Sequence, residues 1–276
     1  METVLAGLSW WHVPFFIAGG VVSGLVAGMF GIGGGTILVP LIVLIMDTVY
    51  QLPSSTGIKI GIATSLACIA LSSSSTIFFQ KRIGLTHFSI VRPMLLPIVI
   101  GVLLSVLLAS IVPASLLRYA FAGYLLLFFA VSLLSSPSSG PDVDLALPVL
   151  EGGGVGLGVG LVSGLLGIGG AFMAVPYLVS KGFGFRQSVG ASPAVQCAVS
   201  VTGAIGYLFS GVGEIALLPA AGLVGSVHVP ILVFVGLSAM AASGFGVKFS
   251  QAISTRTLKI GFEIFLLVVA LKLFFG

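Results

Sequence analysis

The groups in this chain best placed to do chemistry carry no charge. Gly31-Ile-Gly-Gly-Gly-Thr-Ile-Leu-Val-Pro40 returns 136 residues later as Gly167-Ile-Gly-Gly-Ala-Phe-Met-Ala-Val-Pro176, each time within apolar sequence. A glycine costs a helix about 1 kcal/mol against alanine, so each phrase predicts a helix that breaks. Bare Cα atoms let backbone N–H groups approach a ligand closely. The helix that reopens after each break, at Thr36 and near Ala171, offers unpaired N–H groups and the positive end of its dipole, which suits an anion. The candidate site is therefore Gly31, Gly33, Gly34, Gly35 and Thr36 with Gly167, Gly169, Gly170, Ala171 and Phe172. Two such tips facing each other would hold a small oxyanion without any buried Lys or Arg.

Thr64, Ser65 and Ser192, with Gln196 one turn further on, open the next helix of each half. Their hydroxyls and amide are neutral donors that can add to the same anion. The competing role is a helix cap, or a bond to a carbonyl one turn back. Pro40 and Pro176 follow their tips closely and are expected to fix the bend of a short arm. Ser72-Ser-Ser-Ser-Ser-Thr76 is expected to be a close helix contact before an aqueous path. Glu263, a candidate proton carrier within an apolar segment, has Lys259 four residues earlier as an intrahelical partner. Cys68 and Cys197 suggest no disulfide framework, and His12, His87 and His228 stand at unrelated spacings, so neither a metal nor another cofactor is expected. A phosphate-binding G-x-x-x-x-G-K-[ST] loop is absent. No nucleophile with a base accompanies these groups, which disfavours an enzyme.

The elements that must position these groups are membrane helices. Of 276 residues, 58% are hydrophobic and 7% charged, against about 25% charged in soluble domains, and mean hydropathy is +1.26. The apolar runs are long and unbroken, so the fold expected is an all-α polytopic membrane protein. Segments fall at 13–30, 36–46, 59–79, 91–111 and 116–134, then at 149–166, 171–180, 188–209, 229–247 and 257–275. A polar Ser-Pro-Gly stretch divides the chain into a first repeat (1–134), a linker (135–148) and a second repeat (149–276). Val26–Gly31 aligns with Val162–Gly167, Ala63-Thr-Ser-Leu66 with Gly190-Ala-Ser-Pro193, and Gly84 with Gly211. That is an internal duplication.

Residues 36–46 would rise only about 16 Å against roughly 30 Å of hydrocarbon, so each phrase is one interrupted crossing or a re-entrant hairpin. Basic residues discriminate between the two. A hairpin plus three transmembrane helices per half, with the halves inverted, puts Lys81, Arg82, Arg92, Lys181, Arg186, Lys248, Arg256 and Lys259 on one side. Lys59, Arg118 and Lys272 are left on the other. The parallel alternative splits the cations four against seven. Eight against three obeys the positive-inside rule, so two inverted repeats are expected, with both termini non-cytoplasmic. Matched breaks in two halves point to a secondary transporter with its site near the midplane. Trp10, Trp11 and Tyr50 fit an interfacial belt.

The doubled phrase, the Ala-Thr-Ser-Leu and Gly-Ala-Ser-Pro helix starts and Gly225-Ser-Val-His-Val-Pro230 together resemble the TauE/SafE sulfite exporter family over essentially the whole chain. The resemblance implies a cell inner-membrane carrier of small sulfur-containing anions, sulfite or organosulfonates such as sulfoacetate. Export by alternating access is the expected mode; an uptake permease or a passive anion channel is the alternative. Where the first tip has Gly35 and Thr36 the second has Ala171 and Phe172, so Phe172 is expected to pack on the organic part of a sulfonate. The partners implied are that anion and the lipid bilayer, with no nucleic acid. Proton coupling and a homodimer are compatible with the sequence.

Overall fold

The computed structural model describes residues 11–31, 34–52, 54–109, 111–113, 147–209 and 222–254, with isolated positions at 116–117, 119–120, 123, 257, 260 and 264. It is an all-α polytopic membrane protein. Within that range the chain forms α1 (His12–Phe30), α2 (Gly35–Thr48), α3 (Ser54–Arg82) and α4 (Phe88–Ala109) in the first half. The second half gives α5 (Val149–Leu166), α6 (Ala171–Ser180), α7 (Phe185–Phe209), a two-stranded ribbon of β1 (Leu223–Val224) and β2 (Val227–His228), and α8 (Val229–Ala252). Among the described residues, α1, α3 from Thr56, α4, α5, α7 and α8 are long and apolar enough to cross a membrane. The segments expected at 116–134 and 257–275 lie almost wholly outside the described residues, as do Gly33, Glu263, Lys259, most of the linker and Gly211.

Both helix breaks fall where the glycine phrases put them. Gly31 closes α1 in the left-handed conformation with its N–H on the Ala27 carbonyl, and Gly167 closes α5 in the same way on Ser163. Left-handed Gly34 and Gly170 then open α2 and α6. The returning arms have 14 and 10 residues, hence lengths of about 21 and 15 Å. Neither spans the hydrocarbon. The leading arms, of 19 and 18 residues, reach about 28 Å, so each hairpin pairs a nearly full-length helix with a short one. Pro40 and Pro176 each occupy the sixth position of a short arm.

Glycine stripes bring the remaining helices together. Gly20, Gly24 and Gly28 of α1 lie on Val235, Ala239 and Ser243 of α8 in rising order, so α1 and α8 are parallel. Gly152, Gly156, Gly160 and Gly164 of α5 lie likewise on Pro93, Met94, Ile98 and Ser105 of α4. A Cβ at Gly24 would come within 2.2 Å of the Ala239 carbonyl oxygen, and one at Gly160 within 2.2 Å of that of Ile98. Small residues at four-residue spacing are the means by which apolar helices pack backbone to backbone in lipid.

The same contacts fix direction. Gly190, early in α7, sits against Leu85 just past the end of α3, whereas Gly203, late in α7, meets Leu66 early in α3. The two helices therefore run antiparallel. Gly203 and Gly206 follow Val102 and Val106 of α4, and Gly236 and Gly244 of α8 follow Cys68 and Phe79 of α3. Thus α1, α3 and α8 point one way, and α4, α5 and α7 the other. At the end where α3 and α8 finish and α4, α5 and α7 begin stand Lys81, Arg82, Arg92, Lys181, Arg186 and Lys248; Lys59, in the first turns of α3, is towards the other. Arg186 donates there to the Ile253 carbonyl at 2.9 Å, and Lys181 pairs with Glu151 across the base of the second hairpin.

Two of the three histidines close similar turns. Gly84-Leu-Thr-His87 ends where α4 begins, and Gly225-Ser-Val-His228 ends where α8 begins. Both glycines are left-handed, with φ of 71° and 57°. In the order of helices Gly225 thus matches Gly84, where the alignment along the sequence pairs Gly84 with Gly211.

Candidate functional site

The two tips meet. A Cβ at Gly35, the first residue of α2, would lie 2.7 Å from the Gly167 carbonyl oxygen and 2.7 Å from Ile168 Cα, so the first tip rests directly on the backbone of the second. Ile69 of α3 touches both, against Gly35 and against Gly169, while Gln196 of α7 flanks Gly169. Gly170 packs on Val159, Val195 and Val199. Thr36, Ala171 and Phe172, which start the two returning arms, are fully buried. The first turn of α2 returns the Ile37 and Leu38 N–H groups to the Gly34 carbonyl. The N–H groups ahead of them have no place in the helix's own ladder, as at any helix start.

Thr64, Ser65, Ser192 and Gln196 are all buried, and the fold brings each to the other half of the chain. Ser65 Oγ donates to the Gly167 carbonyl at 2.9 Å, shared with the Ile62 carbonyl one turn back. Ser192 Oγ donates to the Gly31 carbonyl at 2.6 Å, shared with that of Val189. Gln196 Nε2 donates to the same Gly31 oxygen. The helix-start serines thus brace the opposite tip through its exposed carbonyl. Thr64 Oγ1 accepts the His228 N–H at 2.9 Å. In this arrangement three of the four side chains spend donors on tip backbone, a use that sequence reading did not reach.

Two hydroxyls beside the tips find no protein partner. Thr36 Oγ1 and Ser163 Oγ are both buried and unbonded. A buried hydroxyl left so costs about 1–3 kcal/mol, and each stands next to a break: Thr36 one residue into α2, Ser163 one turn before Gly167. The repeat exchanges their places, since the counterpart of Thr36 is Phe172 and that of Ser163 is Ala27. Ser163 escaped the sequence reading because it lies in the leading arm; the only signal was a hydroxyl in an otherwise aliphatic last turn.

A small cleft opens at the basic end of the bundle, with Met29, Gln80, Leu85, Arg186, Val189 and Gln251 among its walls; one of these, Val189, also lies against Gly31 of the first tip. Ser72, Ser73, Ser74 and Thr76 bond to carbonyls of their own helix, and Ser75 crosses to the Met240 carbonyl at 2.8 Å. This run is a helix contact. Cys68 and Cys197 are free thiols, and no group of metal-ligating side chains forms among the described residues. Trp11 is 89% exposed, in keeping with a belt position, but Tyr50 turns inward onto the His228 ring.

Paired helix breaks held tip to tip inside a bundle of apolar helices define a multi-pass membrane protein, and the family and relatives it matches make it a membrane transporter and not an enzyme. The chain belongs to the sulfite exporter TauE/SafE family, whose model matches residues 16–273. It is 27% identical to a probable membrane transporter protein of Haemophilus influenzae, over 92% of this chain and 95% of that one. It is 26% identical to a probable membrane transporter protein of Methanocaldococcus jannaschii, over 90% of each. A third relative, the probable membrane transporter protein YdhB of Bacillus subtilis, is 27% identical over 71% of this chain and 78% of that one. No solved structure matches the chain.

Proposed function

We propose that the protein is a secondary carrier of small sulfur-containing anions, sulfite or organosulfonates such as sulfoacetate, exporting them by alternating access. The observation that carries this reading is the buried, unbonded Thr36 hydroxyl at the start of α2, set where the two tips touch. Neutral donors around a helix start favour an anion and disfavour an ammonium. Family membership supports the sulfur chemistry. The tips are closed on each other, and the small cleft at the basic end, one wall of which is Val189 beside Gly31, supports access from that side.

The two halves, 1–134 and 149–276, act in this reading as inverted repeats joined by the 135–148 linker. The opposed directions of α1 and α5, α3 and α7, and α4 and α8 support it. So do the six cations gathered at one end, which the positive-inside rule makes cytoplasmic. His12 then starts α1 on the outer side of the inner membrane, and both termini are non-cytoplasmic.

A thermal-shift panel on the purified protein tests the reading. Sulfite and sulfoacetate should stabilise it, and taurine, whose ammonium is repelled by paired helix N-termini, should not. Equal response to all three would overturn the anion site. Saturable counterflow of sulfite in proteoliposomes separates a carrier from a passive channel.

A further inference from the structure

On the far side of the tips from the cleft lies a second polar cluster that the tip chemistry does not use. His228 is 1% exposed. Its Nδ1 accepts the Ile231 N–H at 3.4 Å, so the neutral imidazole carries its proton on Nε2. That Nε2–H is buried and without a partner, and so is the Tyr50 hydroxyl. The two rings meet edge to face with centroids 4.8 Å apart.

The cluster is held from four directions. The His228 N–H bonds Thr64 Oγ1, one residue before the serine that braces Gly167. The β1–β2 turn is tied down by the Ser226 N–H on the Tyr207 carbonyl at 3.1 Å. Val229 N–H returns to Gly222 at 2.8 Å. Tyr50 precedes Gln51, whose φ of 51° is the left-handed conformation, a strain of about 1–2 kcal/mol for a residue with a Cβ. Burial pushes the Tyr50 hydroxyl up to about 12, so it stays a donor. Two rings in edge contact, each carrying a buried donor that no protein group accepts, cost more than an apolar pair would. A ligand that accepts from both would repay them.

We infer that His228 and Tyr50 form a second subsite for the transported oxyanion, on the non-cytoplasmic side of the tips, donating through Nε2–H and the phenol O–H. Its ligand is the small anion of the carrier reading, on which this inference rests. Thr64 and Ser65, adjacent in sequence, link the two positions, one holding the subsite's backbone and the other the second tip. The counterpart His87 lies half-buried at Gly190, close to the cleft, so only the outer copy is enclosed in this conformation.

The test is sulfite and sulfoacetate binding to the full-length purified protein with Tyr50→Phe, His228→Gln and His228→Leu, beside the tip variant Gly35→Ala. Tyr50→Phe keeps the ring and removes only the hydroxyl; about tenfold weaker binding is expected, the scale of a hydrogen bond to a charged group. His228→Gln, which retains a donor, should fall between the wild type and His228→Leu. In protein carrying 15N-histidine, sulfite should shift the His228 Nε2–H signal, identified by its loss in His228→Gln. Unchanged affinity in Tyr50→Phe with a static His228 signal would overturn the subsite and mark the groups as water-bonded. If Gly35→Ala alone loses binding, the tips stand and the subsite falls. If the wild type binds neither anion, the carrier reading itself falls.

Discussion

Ser65 and Gly167, 102 residues apart, are joined by a 2.9 Å hydrogen bond from hydroxyl to carbonyl. The counterpart bond, from Ser192 to Gly31, is 2.6 Å long. Each half of the chain therefore holds the other's broken helix by the carbonyl that the break exposes. In lipid such a carbonyl has no water to fall back on, so these bonds decide where the tips sit.

The two braces are not equal, which makes a first prediction. Gly31 oxygen also receives Gln196 Nε2, whereas Gly167 oxygen has Ser65. Ser65→Ala should lower stability by about 1–3 kcal/mol, the cost of a stranded buried acceptor, and Ser192→Ala by less. Ser192→Ala with Gln196→Ala should exceed the sum of the two single effects. Thermal or denaturant unfolding in detergent measures this, and equal losses in the two serine variants would contradict it.

Gly35→Ala probes the contact between tips. Its backbone is ordinary helix, so the added methyl brings no conformational penalty, only collision with the Gly167 carbonyl and Ile168. Transport should be lost while the protein still reaches the membrane in normal amount. Gly34→Val adds the strain of a left-handed residue and a clash with Ser23 Oγ, and should be at least as severe. Normal uptake kinetics in well-expressed Gly35→Ala would show that close approach of the tips is dispensable.

Thr36→Val separates stability from function. Removing a buried unbonded hydroxyl at nearly constant volume should stabilise the protein by about 1 kcal/mol, yet weaken sulfite binding if that hydroxyl faces the anion. Ser163→Ala should do the same at the second tip, with a small loss for the missing volume. A Thr36→Val protein that is both less stable and fully active would refute the assignment.

Cysteines placed at Ser139 and Gly213 report topology. In the inverted arrangement Ser139→Cys reacts from the cytoplasmic side and Gly213→Cys from the opposite side. Labelling of both from one face would contradict it.

Much of the architecture was legible along the chain. The second hairpin, expected at 149–166 and 171–180, forms as Val149–Leu166 and Ala171–Ser180, because left-handed glycines leave little choice of where a helix stops. The other helices run a few residues beyond their apolar cores, α3 reaching Arg82 and α8 Ala252, since polar residues at a membrane edge extend a helix at little cost. The site was legible in its glycines and less so in its side chains. Nothing in Ala-Thr-Ser or Gly-Ala-Ser says that the hydroxyl will find a carbonyl over one hundred residues away. The histidine turns match in the order of helices and not in the alignment along the sequence.

Composition and a repeated glycine phrase determined by themselves that this chain is a membrane bundle with two broken helices, since both follow from local rules: apolar length and backbone freedom. Only the tertiary structure decided that Gly35 rests on Gly167, that serines brace the opposite tips, and that Thr36, Ser163, His228 and the Tyr50 hydroxyl are buried with hydrogen-bonding capacity to spare. Those are relations between segments distant in sequence, set by which helix faces pack together, and no local pattern encodes them.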